Sequence, residues 1–287
     1  MKLALGTAQF GLNYGMANKI GVVKNQDKIL DFSLSQNLNF IDTAKSYGNS
    51  ESNLGKLNLD FFNIVTKFYF SSNPKFKIDK FVNKELNDSL KKLNKKELYG
   101  FLVHDGKDLL SKKGEQIYKG LLLLKKNKLV KKIGVSVYET SELDDILSNF
   151  DIDLVQCPVS IFDNRFIRTG LIEKMFKKNI EIHARSIFLQ GLLLTPIKNL
   201  PYKYKIFELN LKNWHEWLLS NKLSALEVCL RFVVENEFIS KIVVGVDSLE
   251  QLKSIVKIYL TNKEINFPRF NFENNAKIID PRTWKIL

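Results

Sequence analysis

Cysteine is scarce in this chain: among 287 residues only Cys157 and Cys229 occur. Two thiols so far apart exclude a disulfide framework and a cysteine-ligated zinc site, which need more ligands at closer spacing. Both read as small core residues. Long apolar runs are also missing, and none approaches the ~18 residues that a membrane span requires. The first residues, MKLALGTAQFG, lack the apolar core and cleavage site of a signal peptide. A cytoplasmic protein without a membrane partner is the expectation. No linker rich in Gly, Pro or Ser and no low-complexity tract divides the chain, so residues 1–287 are expected to form one domain.

Acidic residues are in deficit as well. Lys and Arg number 44 against 31 Asp and Glu, a formal net charge of +13. Such an excess invites a nucleic-acid reading. The lysines are scattered in doublets, however, such as Lys91 with Lys92 and Lys125 with Lys126. No recognition helix, RNA-binding signature or zinc finger accompanies them. The excess reads as a solvated exterior with no nucleic-acid partner, able to steer an anionic ligand over distance.

What is present is alternation. Short apolar runs predict strands at 3–6, 39–42, 63–67, 98–104, 131–136, 153–158, 180–185 and 241–245. Between them, helical spacing predicts helices over 25–37, 51–56, 78–94, 109–127, 167–178, 205–220, 224–235 and 249–259. Thr140 and Ser141 are candidate caps for one more helix, ending near Leu147. Asn73 and Pro74 punctuate a loop. Strands alternating with helices indicate βαβ units and a parallel sheet, and eight of them predict the α/β class with a closed (β/α)8 TIM barrel. The tail, 262–287, with Pro268, Pro281 and Trp284, is expected to lie as an ordered extension over the barrel mouth.

Three consecutive strands finish on or near ionisable groups. LNFIDTAKSYG carries Asp42 at a strand end and Tyr47 in the loop beyond; NIVTK ends on Lys67, and YGFLVHD brings His104. Singly, each has a bland reading as a cap, a solvated lysine, loop packing or a satisfied polar group. In a parallel barrel all three strand ends lie on the face where such folds hold their active sites. A phenol with a reference pKa of about 10 is a poor proton donor near neutrality. A nearby ammonium is expected to lower that value, and a carboxylate to hold the ammonium in place. With an imidazole across the pocket, the set suits reactions that turn a carbonyl oxygen into an alkoxide.

These segments resemble the aldo-keto reductase family, from Leu5 to about Ser254. The resemblance implies a catalytic tetrad of Asp42, Tyr47, Lys67 and His104, with Tyr47 as general acid tuned by Lys67, Asp42 holding Lys67, and His104 orienting the carbonyl. It implies a nicotinamide nucleotide bound in extended form at the barrel mouth, without a Rossmann domain. Gly6, Thr7 and Asp42 would join its site. GVSVY and VQCP resemble the segments that contact the carboxamide, here through Ser136 and Gln156. HARSIFLQGLLL resembles the loop around the pyrophosphate, placing Ser186, Gln190, Gly191 and Leu192 there, and VVGVDSLEQL the adenosine segment, placing Gly245, Asp247, Ser248 and Gln251.

Three departures stand out. Val137 replaces the Asn that commonly follows Ser136. Arg185 replaces a stacking aromatic; a guanidinium also stacks, but it adds a positive charge that favours an anionic substrate. The adenosine segment offers Asp247 and Gln251, with Lys253 the nearest cation, where NADPH-specific members place Lys or Arg. Family precedent puts NADPH first, and these residues leave NADH open. Phe10, Tyr14, Phe68, Tyr69, Phe162, Asn164, Arg165 and Trp284 are the candidate substrate residues. The implied partner is a small carbonyl compound, an aldehyde, ketone or keto-sugar. Two rival readings are a nicotinamide-binding regulatory protein with little turnover and a barrel aldolase using Lys67 as a Schiff-base nucleophile.

Overall fold

The structure, a computed structural model, describes residues 1–16, 21–70, 77–268 and 276–286. The expected Asn73 and Pro74 loop and residues 269–275 and 287 of the tail lie outside the described residues. Strands β1 (Leu3–Gly6), β2 (Phe40–Asp42), β3 (Asn63–Phe68) and β4 (Leu98–Val103) form one half of a sheet. The other half comprises β5 (Val130–Ser136), β6 (Leu154–Pro158), β7 (Glu181–Arg185) and β8 (Lys241–Gly245). Each pairs in parallel with the next, and β8 pairs with β1, closing an eight-stranded barrel. The expected fold class is met.

Helices follow the strands in turn. The first are α1 (Gln26–Ser35), α2 (Ser50–Leu54), α3 (Ile78–Leu93), α4 (Gly106–Leu109) and α5 (Gly114–Lys126). Next come α6 (Thr140–Asn149), α7 (Arg165–Arg168), α8 (Leu171–Lys177) and α9 (Glu208–Ser220). The last are α10 (Ala225–Val234), α11 (Leu249–Leu260) and α12 (Ala276–Ile279). The helix expected over 109–127 starts only at Gly114, as α5, with the one-turn α4 ending at Leu109, and that over 167–178 is two, broken at Gly170. The cap of α6 is Glu139, not Thr140 or Ser141. Glu139 has extended backbone (φ −112°, ψ 144°) and shares a capping box with Glu142, while Thr140 is already helical.

Strand periodicity of two sorts the side chains. Ile41, Ile64, Ile133, Val155, Ile182 and Val244 point outward into the large core beneath the helices, with Val82, Leu86, Leu121 and Ile146. Removing a fully buried side chain of this core, as in Phe101→Ala, costs about 3–5 kcal/mol. The opposite parity fills the barrel. Val65, Leu102 and Leu154 form a small separate cluster at its waist. Two residues further along β3 and β6 come Lys67 and Gln156, and β2 ends in Asp42. On β7, Glu181, His183 and Arg185 share one face, spanning the barrel from floor to mouth.

A second core gathers the loops after β6 and β7, α9, α10 and the tail around Leu189, Leu192, Trp214 and Trp284. Trp284 is buried, and its indole N–H donates to the Lys277 carbonyl at 2.7 Å. The tail beyond α12 thereby carries Pro281 to the wall of the mouth cavity. Among the described residues no helix is long and apolar enough to cross a membrane. Cys157 and Cys229 are buried and unbridged, as expected.

Candidate active site

Asp42 and Lys67 arrive together because β2 and β3 are neighbours in register, Asp42 standing opposite Val65. Lys67 is fully buried. Its ammonium donates to both Asp42 carboxylate oxygens, at 2.7 and 2.8 Å, and to the Thr43 carbonyl at 2.9 Å. An ammonium has three protons, so its donor capacity is filled. Gln156 Nε2 donates to Asp42 Oδ1 at 2.7 Å from across the barrel. Burial pulls the Lys67 pKa below its ordinary value, opposed by Asp42.

The loop after β2 lays Tyr47 over this pair, its ring centroid 5.3 Å from Lys67 Nζ. That loop packs against the first one at Gly11, where a Cβ would stand 2.0 Å from the Tyr47 carbonyl oxygen, so no other residue fits. The expected acidification of Tyr47 by Lys67 is not what the structure displays. Burial, then Asp42, Tyr14 and Tyr138, push the phenol well above its ordinary pKa; Arg185 pulls it back. The cation that opposes the shift is Arg185.

His104 follows β4, its ring edge-on to Tyr47 at 5.9 Å and stacked on Tyr69 at 4.3 Å. Ser46 Oγ lies 3.3 Å from His104 Nδ1. Burial, with the charges of Lys67 and Arg185, lowers its pKa to about 2, so the imidazole is neutral at any physiological pH. In the tautomer where Ser46 donates to Nδ1, the proton sits on Nε2.

Tyr47, His104 and Asp42 front a cavity of about 810 Å³. Further along its wall stand Ser136 and Gln156, adjacent in the β5–β6 register. The amide oxygen Gln156 Oε1 is buried without a partner. Arg185 closes this end. It donates to the Val137 carbonyl at 2.9 Å and to Ser186 Oγ at 3.2 Å. Its guanidinium carbon is 3.8 Å from the Tyr138 ring centroid, and that of Arg282 is 3.7 Å from the same centroid. Two guanidinium groups cannot share one ring face at that distance, so Tyr138 is sandwiched between them. Arg282 is held by Asp280, whose carboxylate accepts from Nε and Nη2.

The loop after β7 gives Ser186, Gln190 and Gly191 to the wall. Ser186, Leu189 and Gln190 all have positive φ, from 45° to 60°. Left-handed backbone at three non-glycine residues in one loop marks strain of the kind that collects at functional sites. Gly6, Thr7 and Tyr14 line the cavity too. At its far end are Gly245, Asp247 and Gln251. Asp247 N–H donates to Gln251 Oε1 at 2.7 Å, while Asp247 Oδ1 is buried without a partner. Burial raises the Asp247 pKa, partly offset by its bond with Gln251.

Several expected residues stand elsewhere. Lys67 lies behind Asp42, away from the cavity wall, which removes the access a Schiff-base nucleophile needs. Phe10 and Phe68 belong to the main core, Phe68 stacked on Phe101 at 4.7 Å, so neither can meet a substrate. Leu192, Phe162 and Trp284 are buried in the second core. Ser248 caps α11, accepting from Gln251 N–H at 3.2 Å, and is not on the wall. Arg165 is consumed by ion pairs to Asp163 at 2.8 Å and Glu139 at 2.7 Å, and its neighbour Asn164, at the start of α7, is not on the wall. Tyr69 reaches the site only through His104. Gln9, Tyr138 and Glu250 line the cavity without having been singled out from the sequence, and Pro281 joins them from the tail.

The family model described as the aldo/keto reductase family matches residues 2–267. The chain belongs to that family. Among solved structures, an aldo-keto reductase from Bacillus halodurans in its holo form superposes with a TM-score of 0.74 at 17% identity, covering 97% of this chain and 92% of that one. A Pseudomonas aeruginosa protein described as an aldo-keto reductase gives 0.65 at 19%, covering 90% and 89%. At these identities the likeness is one of fold. No curated protein matches the chain in sequence. Members of the family are generally oxidoreductases that act on small carbonyl compounds with NADPH or NADH, and the barrel mouth is where this aldo-keto reductase presents its polar groups.

Proposed function

We propose that the protein reduces the carbonyl of an aldehyde, ketone or keto-sugar to an alcohol, with Tyr47 as the proton donor. The observation that carries this reading is that the Tyr47 phenol and the His104 imidazole meet on one cavity, ring centroids 5.9 Å apart, above an ion pair that is satisfied from within. A nicotinamide nucleotide fits this wall. The orphaned Gln156 Oε1 is a buried acceptor for a carboxamide N–H, beside Ser136. Ser186, Gln190 and Gly191 would hold the diphosphate, and Gly245, Asp247 and Gln251 the adenosine. When bound, the reduced coenzyme supplies the hydride.

The chain's own groups do the rest. His104 Nε2–H donates to the carbonyl oxygen and orients it. Tyr47 transfers its phenolic proton to that oxygen as the carbon is reduced, leaving a phenolate that Arg185 stabilises until solvent reprotonates it. Asp42 and Lys67 form the rigid, nearly neutral base beneath. Tyr14 offers an aromatic ring, and Arg185 a cation, to a sugar-like or anionic carbonyl compound.

The test follows coenzyme absorbance over a panel of aldehydes, ketones and keto-sugars. Tyr47→Phe should lose about 10²–10⁴ in kcat/KM. Wild-type turnover unaffected by that change ends the proposal. One stoichiometric hydride transfer without further cycles would favour the regulatory reading instead.

A further inference from the structure

Charge is distributed unevenly along the mouth cavity. Among the described residues of its wall, Arg185 is the only lysine or arginine. It sits at the end with Tyr47 and His104, whose titrations it perturbs, and is fixed there by Val137 and Tyr138. The far end carries the opposite sign. Asp247 and Glu250 both line it, and neither has an ion pair among the described residues. Lys253, the nearest cation in sequence, is exposed and off the wall. The positive end of α11 is answered by the chain itself, through Glu250 in the first turn and the Ser248 cap.

Resting on the reading above, we infer that Asp247 and Glu250 select the coenzyme, so that this aldo-keto reductase takes NADH in preference to NADPH. The two coenzymes differ at one place, the adenosine ribose, where NADH has a 2′-hydroxyl and NADPH a 2′-phosphate. A carboxylate oxygen accepts only, and Asp247 Oδ1 is buried with nothing donating to it. A ribose hydroxyl supplies the missing donor. A 2′-phosphate supplies no donor, brings a charge of about −1.5 to −2 as phosphate monoesters do near neutrality, and faces two carboxylates with no lysine or arginine beside them on the wall among the described residues. The order expected from family precedent is thus reversed.

The experiment measures dissociation constants rather than turnover. NADH and NADPH are titrated against the full chain by quenching of tryptophan fluorescence, and ADP-ribose and its 2′-phosphate by calorimetry. Wild type should bind NADH at least tenfold more tightly than NADPH, and the fragments should keep that order. Raising the salt should narrow the gap by screening the repulsion. Glu250→Lys and, more mildly, Asp247→Asn should each narrow it, the lysine by tenfold or more. Equal affinity, or tighter NADPH, overturns the inference and leaves carbonyl reduction standing. A gap untouched by either substitution overturns the role given to these residues. Failure of both coenzymes to bind overturns the inference together with the reading beneath it.

Discussion

Each end of the barrel holds a lysine–carboxylate pair, and the two are built differently. At the mouth, Lys67 and Asp42 satisfy each other while Tyr47 and His104 face open space. At the floor, Glu181 takes everything around it: His183 Nε2 at 2.7 Å, the Tyr99 hydroxyl at 2.6 Å and the Lys132 ammonium. Phe40 packs edge-on to Tyr99 at 4.8 Å, and Lys241 covers the other ring, 4.0 Å from the Phe40 centroid. Burial alone would raise the Glu181 pKa, but bonds from His183, Lys132 and Tyr99 outweigh it and hold the group at about 2. None of these floor groups lines the mouth cavity. The same residue types make a plug where they are spent on one another, and an open wall where a phenol and an imidazole are left to a ligand.

The sharpest way to break this contrast is to delete one hydroxyl at each end. Tyr47→Phe should cost about 10²–10⁴ in kcat/KM with the melting temperature nearly unchanged. Tyr99→Phe should keep turnover and lose about 1–2 kcal/mol in denaturant melts, as one donor to a charged group is lost. Next in size are the lysines. Lys67→Met strands a buried carboxylate and should cost about 3–5 kcal/mol together with most activity. Lys132→Met should cost less, since that side chain is 30% exposed and Glu181 keeps two other partners.

Acid sharpens the comparison further. The folded Glu181 pKa is about 2, below its ordinary 4.5, so its contribution is complete above the unfolded value and disappears as pH falls through the folded one. The stability gap between wild type and Glu181→Gln should hold steady above pH ~5 and shrink between ~5 and ~2. At the mouth the smallest effect is expected. With His104 lowered to about 2 and Tyr47 raised, neither group changes protonation between pH ~5 and 8, and kcat/KM should show no step assignable to them. A break near pH 6.5 abolished by His104→Gln would contradict this.

The barrel was legible because each strand is a short apolar run ended by polar residues, and β1 and β8 fall where the pattern places them. The gathering of Asp42, Tyr47, Lys67 and His104 at one end was legible for the same reason, since strand ends share one face. Side-chain fate beyond the strands was not. Phe10 and Phe68 look like mouth aromatics in sequence but turn into the core, and Arg165 looks available until Asp163 and Glu139 claim it. The helix expected over 109–127 starts only at Gly114, whose backbone packs so tightly on the Leu109 carbonyl that a Cβ would stand 1.6 Å from it, a contact no periodicity records. The stack of Arg185, Tyr138 and Arg282 joins three distant segments and leaves no local signal. Nor does IEIHAR announce that its Glu and His close the floor while its Arg serves the mouth.

One measurement bears most directly on the mouth as the reactive end. Coenzyme carrying deuterium on the transferable C4 position is mixed with an aldehyde and the protein, and the alcohol is examined by mass spectrometry. The account predicts one deuterium per alcohol carbon formed, over many turnovers with wild type and Tyr99→Phe, and product reduced to a trace with Tyr47→Phe. Undeuterated alcohol, or equal yields from wild type and Tyr47→Phe, would contradict it.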